Sequence, residues 1–184
     1  TLASDEKIFC GILVNAAGPR AAQFANLANI SLPVEPRKRF TWIFSAETPL
    51  DRPLPLTIDP SGIHLRQYGK DDYMAGSPPL QDAAAPFEDF EENHMLWETH
   101  VWPLIARRIP QFEAIRVTSS WAGHYAYNVL DHNAILGPHT EIENFIFAQF
   151  DVNDLVGIHF WQSTNTPLIK CACIDLKRLF ILSM

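Results

Sequence analysis

The chain has 184 residues, enough for one domain or one and a fraction, and 47% of them are hydrophobic, 19% charged and 11% aromatic. That composition excludes a disordered chain, a collagen and a disulfide-stapled miniprotein. The formal charge of −7 argues against a nucleic-acid partner, whose backbone rewards a basic face.

Ile8 to Val14 is an almost wholly apolar run, as expected of a strand covered on both faces. Asn15-Ala16-Ala17-Gly18-Pro19 then turns sharply into an alanine-rich, helix-compatible stretch from Arg20 to Ala28, with Pro19 suited to its first position. Exposed N–H groups at that helix start could face an anion or a bound cofactor, although any buried strand entering a helix has this pattern.

Leu32 to Arg39 is a proline-punctuated, extended connector into a β-rich stretch at Phe40 to Ser45. Asp59-Pro60-Ser61-Gly62 is a turn signal between Leu54–Ile58 and Ile63–Tyr68, which reads as a hairpin. Gly69-Lys70-Asp71-Asp72 turns again before Tyr73–Gly76, so an antiparallel sheet is expected. After a polar loop from Ser77 to Pro86, the residues Phe87, Phe90, His94, Trp97, Val101 and Leu104 recur at helical spacing. This predicts an amphipathic helix over 87–108, kinked or restarted at Pro103 and ended by Pro110. Arg116–Tyr127, Asp131–Gly137 and Asn144–Phe150 read as three further strands, with Gly137-Pro138-His139-Thr140 as the bend between the last two. Beyond Asp151 there are no clear caps and no period.

The chemistry-bearing residues are sparse. No two of the eight glycines stand two or five positions apart, so neither G-x-G-x-x-G nor a Walker loop can be written. His94 and His100 stand six apart, on different faces of the predicted helix, and Cys171-x-Cys173 has no second pair, so no metal is expected. Three cysteines suit a reducing compartment. No apolar run is long enough to span a bilayer and no leader is legible, while the start at Thr1 is expected of a segment of a larger chain. Arg37-Lys38-Arg39 could meet a phosphate or form a solvated face. No serine or cysteine sits in a nucleophile-elbow frame, and no residue announces itself as catalytic. Trp121-Ala122-Gly123-His124-Tyr125-Ala126-Tyr127 combines small residues, a flat ring and phenols, which suits either close approach to a planar ligand or an ordinary aromatic strand.

Taken in order, the segments Ile12–Gly18, Leu32–Arg39, Trp121–Tyr125, Asp131–Pro138 and Asn144–Ala148 resemble the glycine/D-amino-acid oxidase-like (DAO) family of FAD-dependent oxidoreductases. The Leu32–Arg39 block, with Val101-Trp102-Pro103, Arg108–Glu113 and Tyr127-Asn128, looks most like one mitochondrial member associated with assembly of respiratory complex I.

The resemblance implies a mixed α+β and α/β fold, part of a two-lobe flavoprotein. Residues 1–31 would be a remnant of an FAD-binding Rossmann-like lobe, and 32–137 an antiparallel-sheet substrate lobe with a flanking helix. Residues 138–150 would be a return strand, and 151–184 a divergent tail. It implies FAD contact at Asn15, Ala16, Ala17 and Gly18, and a substrate pocket at Gly123, His124 and Tyr125. It implies hydride removal from the C–N carbon of an amine or N-methyl amino acid to the flavin, and a mitochondrial location. Two departures stand out: no glycine-rich strand–helix turn is present, and after Ala148 the family's glycine-rich loop is replaced by Gln149-Phe150-Asp151-Val152-Asn153-Asp154. The latter is expected of an alternative or misread 3′ exon or a frameshift, with a poorly packed tail, and the missing glycine-rich turn implies weak FAD binding by this chain alone. Three readings stay open: a flavin-dependent amine oxidase segment, a non-enzymatic complex I assembly factor on the same scaffold, and an incomplete product without a role.

Overall fold

The computed structural model describes residues 7–149 and 179–182. It is a mixed helix and sheet structure with two sheets. The chain divides into two compact units, one of residues 1–36 and 125–184, the other of Arg37–His124.

In the first unit, β1 (Ile12–Asn15) enters a 3-10 turn at Gly18–Arg20 and then α1 (Ala21–Asn26). The alanine-rich stretch expected to stay helical to Ala28 stops earlier. Asn29 adopts the left-handed conformation, φ 58°, and the Ile30 N–H returns to the Ala25 carbonyl at 3.1 Å. The sheet order is β7 (Ile135–Pro138), β8 (Phe145–Gln149), β1, β9 (Leu179–Leu182). β1 is parallel to β8, with Val14 opposite Ile146, and parallel to β9, with Ile12 opposite Leu179. β7 is antiparallel to β8, with Gly137 opposite Phe147. A strand flanked on both edges by parallel neighbours needs cover on both faces, which is why Ile12–Val14 is apolar without alternation. Ala25, Ile30, Phe145 and Phe147 form its core on the α1 side.

Two sequence expectations change here. The strand expected over Asp131–Gly137 begins only at Ile135, because Asp131 to Asn133 form a tight loop around the Asn128 side chain. That strand also sits in this sheet and not in the antiparallel lobe, so the boundary expected at residue 137 falls between His124 and Tyr125. Leu179–Leu182, for which sequence offered no structure, is a strand beside β1. The rest of the tail expectation, over 151–178, lies outside the described residues.

In the second unit the strand order is β3 (Thr57–Ile58), β4 (His64–Tyr68), β5 (Asp72–Ser77), β2 (Val34–Ala46), β6 (Ile115–Asn128). The β3–β4 hairpin forms where expected, with Thr57 opposite Leu65. Its turn is closed by Gly62 N–H to the Asp59 carbonyl at 2.9 Å, and Gly62 has φ 85°. The connector read as merely extended is itself strand from Val34.

The predicted helix over 87–108 is corrected at its start. Residues 87–93 are not helical, and α2 (His94–Leu96) begins at Asn93, whose side chain accepts the Leu96 N–H at 3.0 Å. A π-helical turn at Trp97–Val101 precedes α3 (Trp102–Arg108). Pro103 explains the widened turn: it has no N–H to give the preceding turn, and the Trp102 N–H reaches back to the Trp97 carbonyl. The extra residue rotates the buried face to Leu96, Trp97, Val101 and Ile105, where strict helical spacing expected His94 and Leu104. These pack with Phe40, Trp42, Phe44, Tyr73 and Phe112 into the main core. Phe112 stands edge-on to Phe44 at 5.2 Å and against Tyr73 at 4.6 Å.

Candidate functional site

The residues expected to meet a cofactor lie at the C-terminal end of β1. Asn15 is fully buried and its side chain is committed to the fold. Its Nδ2 donates to the Ala21 carbonyl at 2.9 Å and its Oδ1 accepts from the Ala17 N–H at 3.3 Å. Gln149, at the end of β8, donates through Nε2 to the Asn15 carbonyl at 2.7 Å and to Oδ1 at 3.0 Å. Asn15 thus fixes the turn from inside, leaving Ala16 and Gly18 half-buried at its outer edge. Gly18 has φ 56°, and a Cβ built on it would meet nothing within 4 Å. The backbone there is open to close approach, in a conformation that glycine adopts without strain. The expected helix N-terminus is less than sequence suggested, since α1 has six residues and follows a 3-10 turn.

The residues expected to line a substrate pocket fall on β6. Gly123 and Tyr125 share one face of the strand by its two-residue period, and His124 takes the other. Tyr125 continues along its face to Tyr127, ring centroids 5.9 Å apart, and the Tyr127 hydroxyl meets His132 Nε2 at 2.7 Å. His132 is held at φ 59°, a costly conformation for a non-glycine residue, with its N–H on the Asn128 carbonyl at 3.1 Å. His124 lies in the second unit under the Phe90 ring, centroids 4.6 Å apart. Its Nε2 is buried with no hydrogen-bond partner among the described residues. A Cβ on Gly123 would also meet nothing within 4 Å.

Around His124, the chain 87–93 is pinned to β2. The Lys38 ammonium pairs with the Asp89 carboxylate and donates to the Glu91 carbonyl at 3.1 Å. The Lys38 hydrogen bond is the main cause holding the Asp89 carboxyl below its usual range, followed by the Glu91 N–H, and the His124 imidazole adds to it. On the neighbouring loop, Arg39 grips Asp82 with two nitrogens at 2.7 and 2.8 Å. In the basic run at 37–39, open between a phosphate site and a wet face, Lys38 and Arg39 are therefore paired with the protein's own carboxylates, and Arg37 donates to the Asp82 carbonyl.

Sequence reasoning missed Gln149, Phe90 and the Tyr127–His132 pair. Phe90 matches the helical spacing, and the local signal that could have excluded it is Asn93, a residue type that favours the helix N-cap. Among the described residues, no group of three or more His, Cys, Asp or Glu could hold a metal ion. No helix there is long and apolar enough to cross a membrane.

A family model described as FAD dependent oxidoreductase, DAO, matches residues 2–150. FAD-dependent oxidoreductase domain-containing protein 1 of Xenopus laevis is 35% identical over 155 residues, covering 78% of this chain and 31% of that protein. The Bos taurus protein of the same name is also 35% identical, with 78% of this chain and 32% of that protein covered. The chain thus spans about a third of the length of the curated relatives it matches. Among solved structures, glycine oxidase from Geobacillus kaustophilus aligns with a TM-score of 0.64 at 19% identity, covering 79% of this chain and 37% of that one. Iminodiacetate oxidase from Chelativorans sp. BNC1 aligns with a TM-score of 0.68 at 14% identity, covering 91% and 47%. These likenesses show the fold.

Proposed function

The chain belongs to the DAO family of FAD dependent oxidoreductases, and from that membership we propose that it is the later part of a flavoprotein oxidising the C–N bond of an amine or N-methyl amino acid. The family is FAD-dependent, and the structural neighbours' names carry amino- or imino-acid substrates. When bound, FAD supplies the hydride acceptor that no protein side chain can provide.

The observation that carries the reading is the turn after β1. Its residues fit a dinucleotide: Gly18 is open on its Cβ side at φ 56°, and Asn15 is spent inward so that the turn is fixed without blocking that space. In this reading Ala16 and Gly18 present backbone to the cofactor, and Asn15 with Gln149 keeps the buried Ala17 between them in place. Gly123 and Tyr125, on one face of β6, stand towards the substrate in this reading, while His124 takes the other face beneath Phe90. The role belongs to the protein at its relatives' full length, with this chain alone incomplete for turnover and holding FAD weakly.

The test is anaerobic mixing of the full-length flavoprotein with a panel of N-methyl amino acids. Bleaching of the oxidised flavin band by at least one of them is expected. No bleaching by any, from a protein that retains FAD, would refute amine oxidation. A second reading, carried by the resemblance in sequence alone, is a non-enzymatic mitochondrial assembly factor for respiratory complex I. It predicts that flavin-retaining full-length protein stays unbleached and co-purifies with complex I intermediates.

A further inference from the structure

Asn128, buried at the end of β6, organises the loop that follows it. Its Oδ1 accepts the Leu130 N–H at 3.1 Å, and its Nδ2 donates to Asp131 Oδ1 at 2.7 Å and to the Asn133 carbonyl at 2.9 Å. Its own carbonyl accepts the His132 N–H at 3.1 Å. The loop thereby holds the exposed His132 at φ 59°, against the preference of a residue with a side chain. What this conformation delivers is the imidazole: Nε2 stands 2.7 Å from the Tyr127 hydroxyl, with ring centroids 4.7 Å apart. Strain of this kind persists only where the surroundings over-determine it, and it concentrates at functional sites. Tyr127 in turn shares a strand face with Tyr125, the residue read as standing towards the substrate. The titratable groups beside His132 among the described residues are the Tyr127 phenol and the Asp131 carboxylate. The carboxylate is taken up by Asn128 Nδ2 and by the Asn133 N–H at 3.1 Å.

We propose that Tyr127 and His132 form a proton relay that deprotonates the substrate amine, the phenol meeting the substrate and the imidazole behind it storing the proton. The inference rests on the amine-oxidase reading and deepens it. Hydride leaves a carbon next to nitrogen when the nitrogen lone pair pushes into the forming C=N bond, and an ammonium has no free lone pair. In the relay an N–H bond of the ammonium breaks as an O–H bond forms on Tyr127. The phenol's own O–H bond breaks as an N–H bond forms at His132 Nε2. The substrate leaves this step as a neutral amine and His132 as an imidazolium, so the total charge is unchanged. His132 is exposed, and so can return the proton to solvent between turnovers.

The test is the rate of flavin bleaching against pH in the full-length flavoprotein, using the N-methyl amino acid that bleaches the unaltered protein fastest. His132→Gln offers the phenol an oxygen but cannot take a proton. His132→Asn suits the left-handed conformation and cannot take one either. Near neutral pH both should bleach about a hundredfold more slowly than the unaltered protein, as expected for lost acid–base catalysis. The deficit should close as pH approaches about 10, where an aliphatic ammonium loses its proton unaided. Tyr127→Phe should show the same closing deficit. A deficit of equal size at every pH is what a merely structural loop gives, and it would overturn the relay, as would full-rate bleaching by the variants near neutral pH. Flavin absorbance per protein reports the fold, and if His132→Gln loses flavin, His132→Asn decides the question. No bleaching of the unaltered protein by any amine overturns the oxidase reading and the relay together, whereas a deficit that does not close overturns the relay alone.

Discussion

The imidazole of His64 lies across the Cα of Gly76, its partner on the adjacent strand, in the space where a side chain would stand. A Cβ built on Gly76 would be 2.1 Å from His64 Nε2 and 2.2 Å from Cε1. The histidine is packed there because residue 76 has no side chain, and the two positions are therefore coupled.

Gly76→Ala should consequently destabilise the second unit by about 1–3 kcal/mol, the range for overpacking a filled site. Urea denaturation measures it. Gly76→Ala combined with His64→Ala should recover most of the loss, since the clash needs both groups. A double variant no more stable than Gly76→Ala would show that the clash is not the cause.

His64 also sets a pH dependence. Burial disfavours its charged form and lowers its pKa below the ordinary value; a hydrogen bond with the Gly62 backbone opposes this, and the charges of Arg66 and Arg39 reinforce it. The unfolded chain then binds the proton more readily than the folded one, so stability falls as pH drops below about 6.5 and is regained above it. Replacing His64 with Gln should flatten the urea midpoint between pH 7 and pH 5. An unchanged slope would assign the acid sensitivity to other groups.

Asn15→Ala should cost about 2–3 kcal/mol, because the Ala17 N–H loses its acceptor and the Gln149 amide loses one of its two. Far-ultraviolet circular dichroism on a thermal ramp reads the loss. Gln149→Leu should cost less than Asn15→Ala, since it leaves the Asn15 contacts to Ala17 and Ala21 in place and removes a buried Oε1 that has no partner among the described residues.

In the full-length protein, Gly18→Val should lower flavin content several-fold more than Gly62→Val. Both glycines have positive φ, so backbone strain is common to both variants. Only Gly18 stands at the turn assigned to the cofactor; Gly62 closes a hairpin. Flavin absorbance per protein, measured on folded samples of each, gives the comparison. Equal retention would remove Gly18 from the cofactor site.

The sequence by itself determined the parts governed by short-range chemistry. Asp59-Pro60-Ser61-Gly62 has to turn, since its side chains and glycine close the loop locally, and the β3–β4 hairpin formed around it. The unalternating apolar run ending at Val14 specified a strand, although the structure starts it only at Ile12 and leaves Ile8–Gly11 exposed, and the ordered blocks from Ile12 to Ala148 specified the family. Only the tertiary structure decided which side chains of those blocks face a ligand. Asn15 is polar and sits where the family brings a cofactor, yet Gln149, 134 positions later, ties it into the interior. Gly123, His124 and Tyr125 are consecutive and were grouped as one pocket, but the strand's alternation splits them and Phe90 covers the middle one. The helix face was misplaced by the π-helical turn that Pro103 calls for, and β7 joined the first sheet through its pairing with β8. Local turns and periods are set by neighbours a few residues apart, whereas burial and hydrogen-bond partnership depend on what the rest of the chain brings alongside.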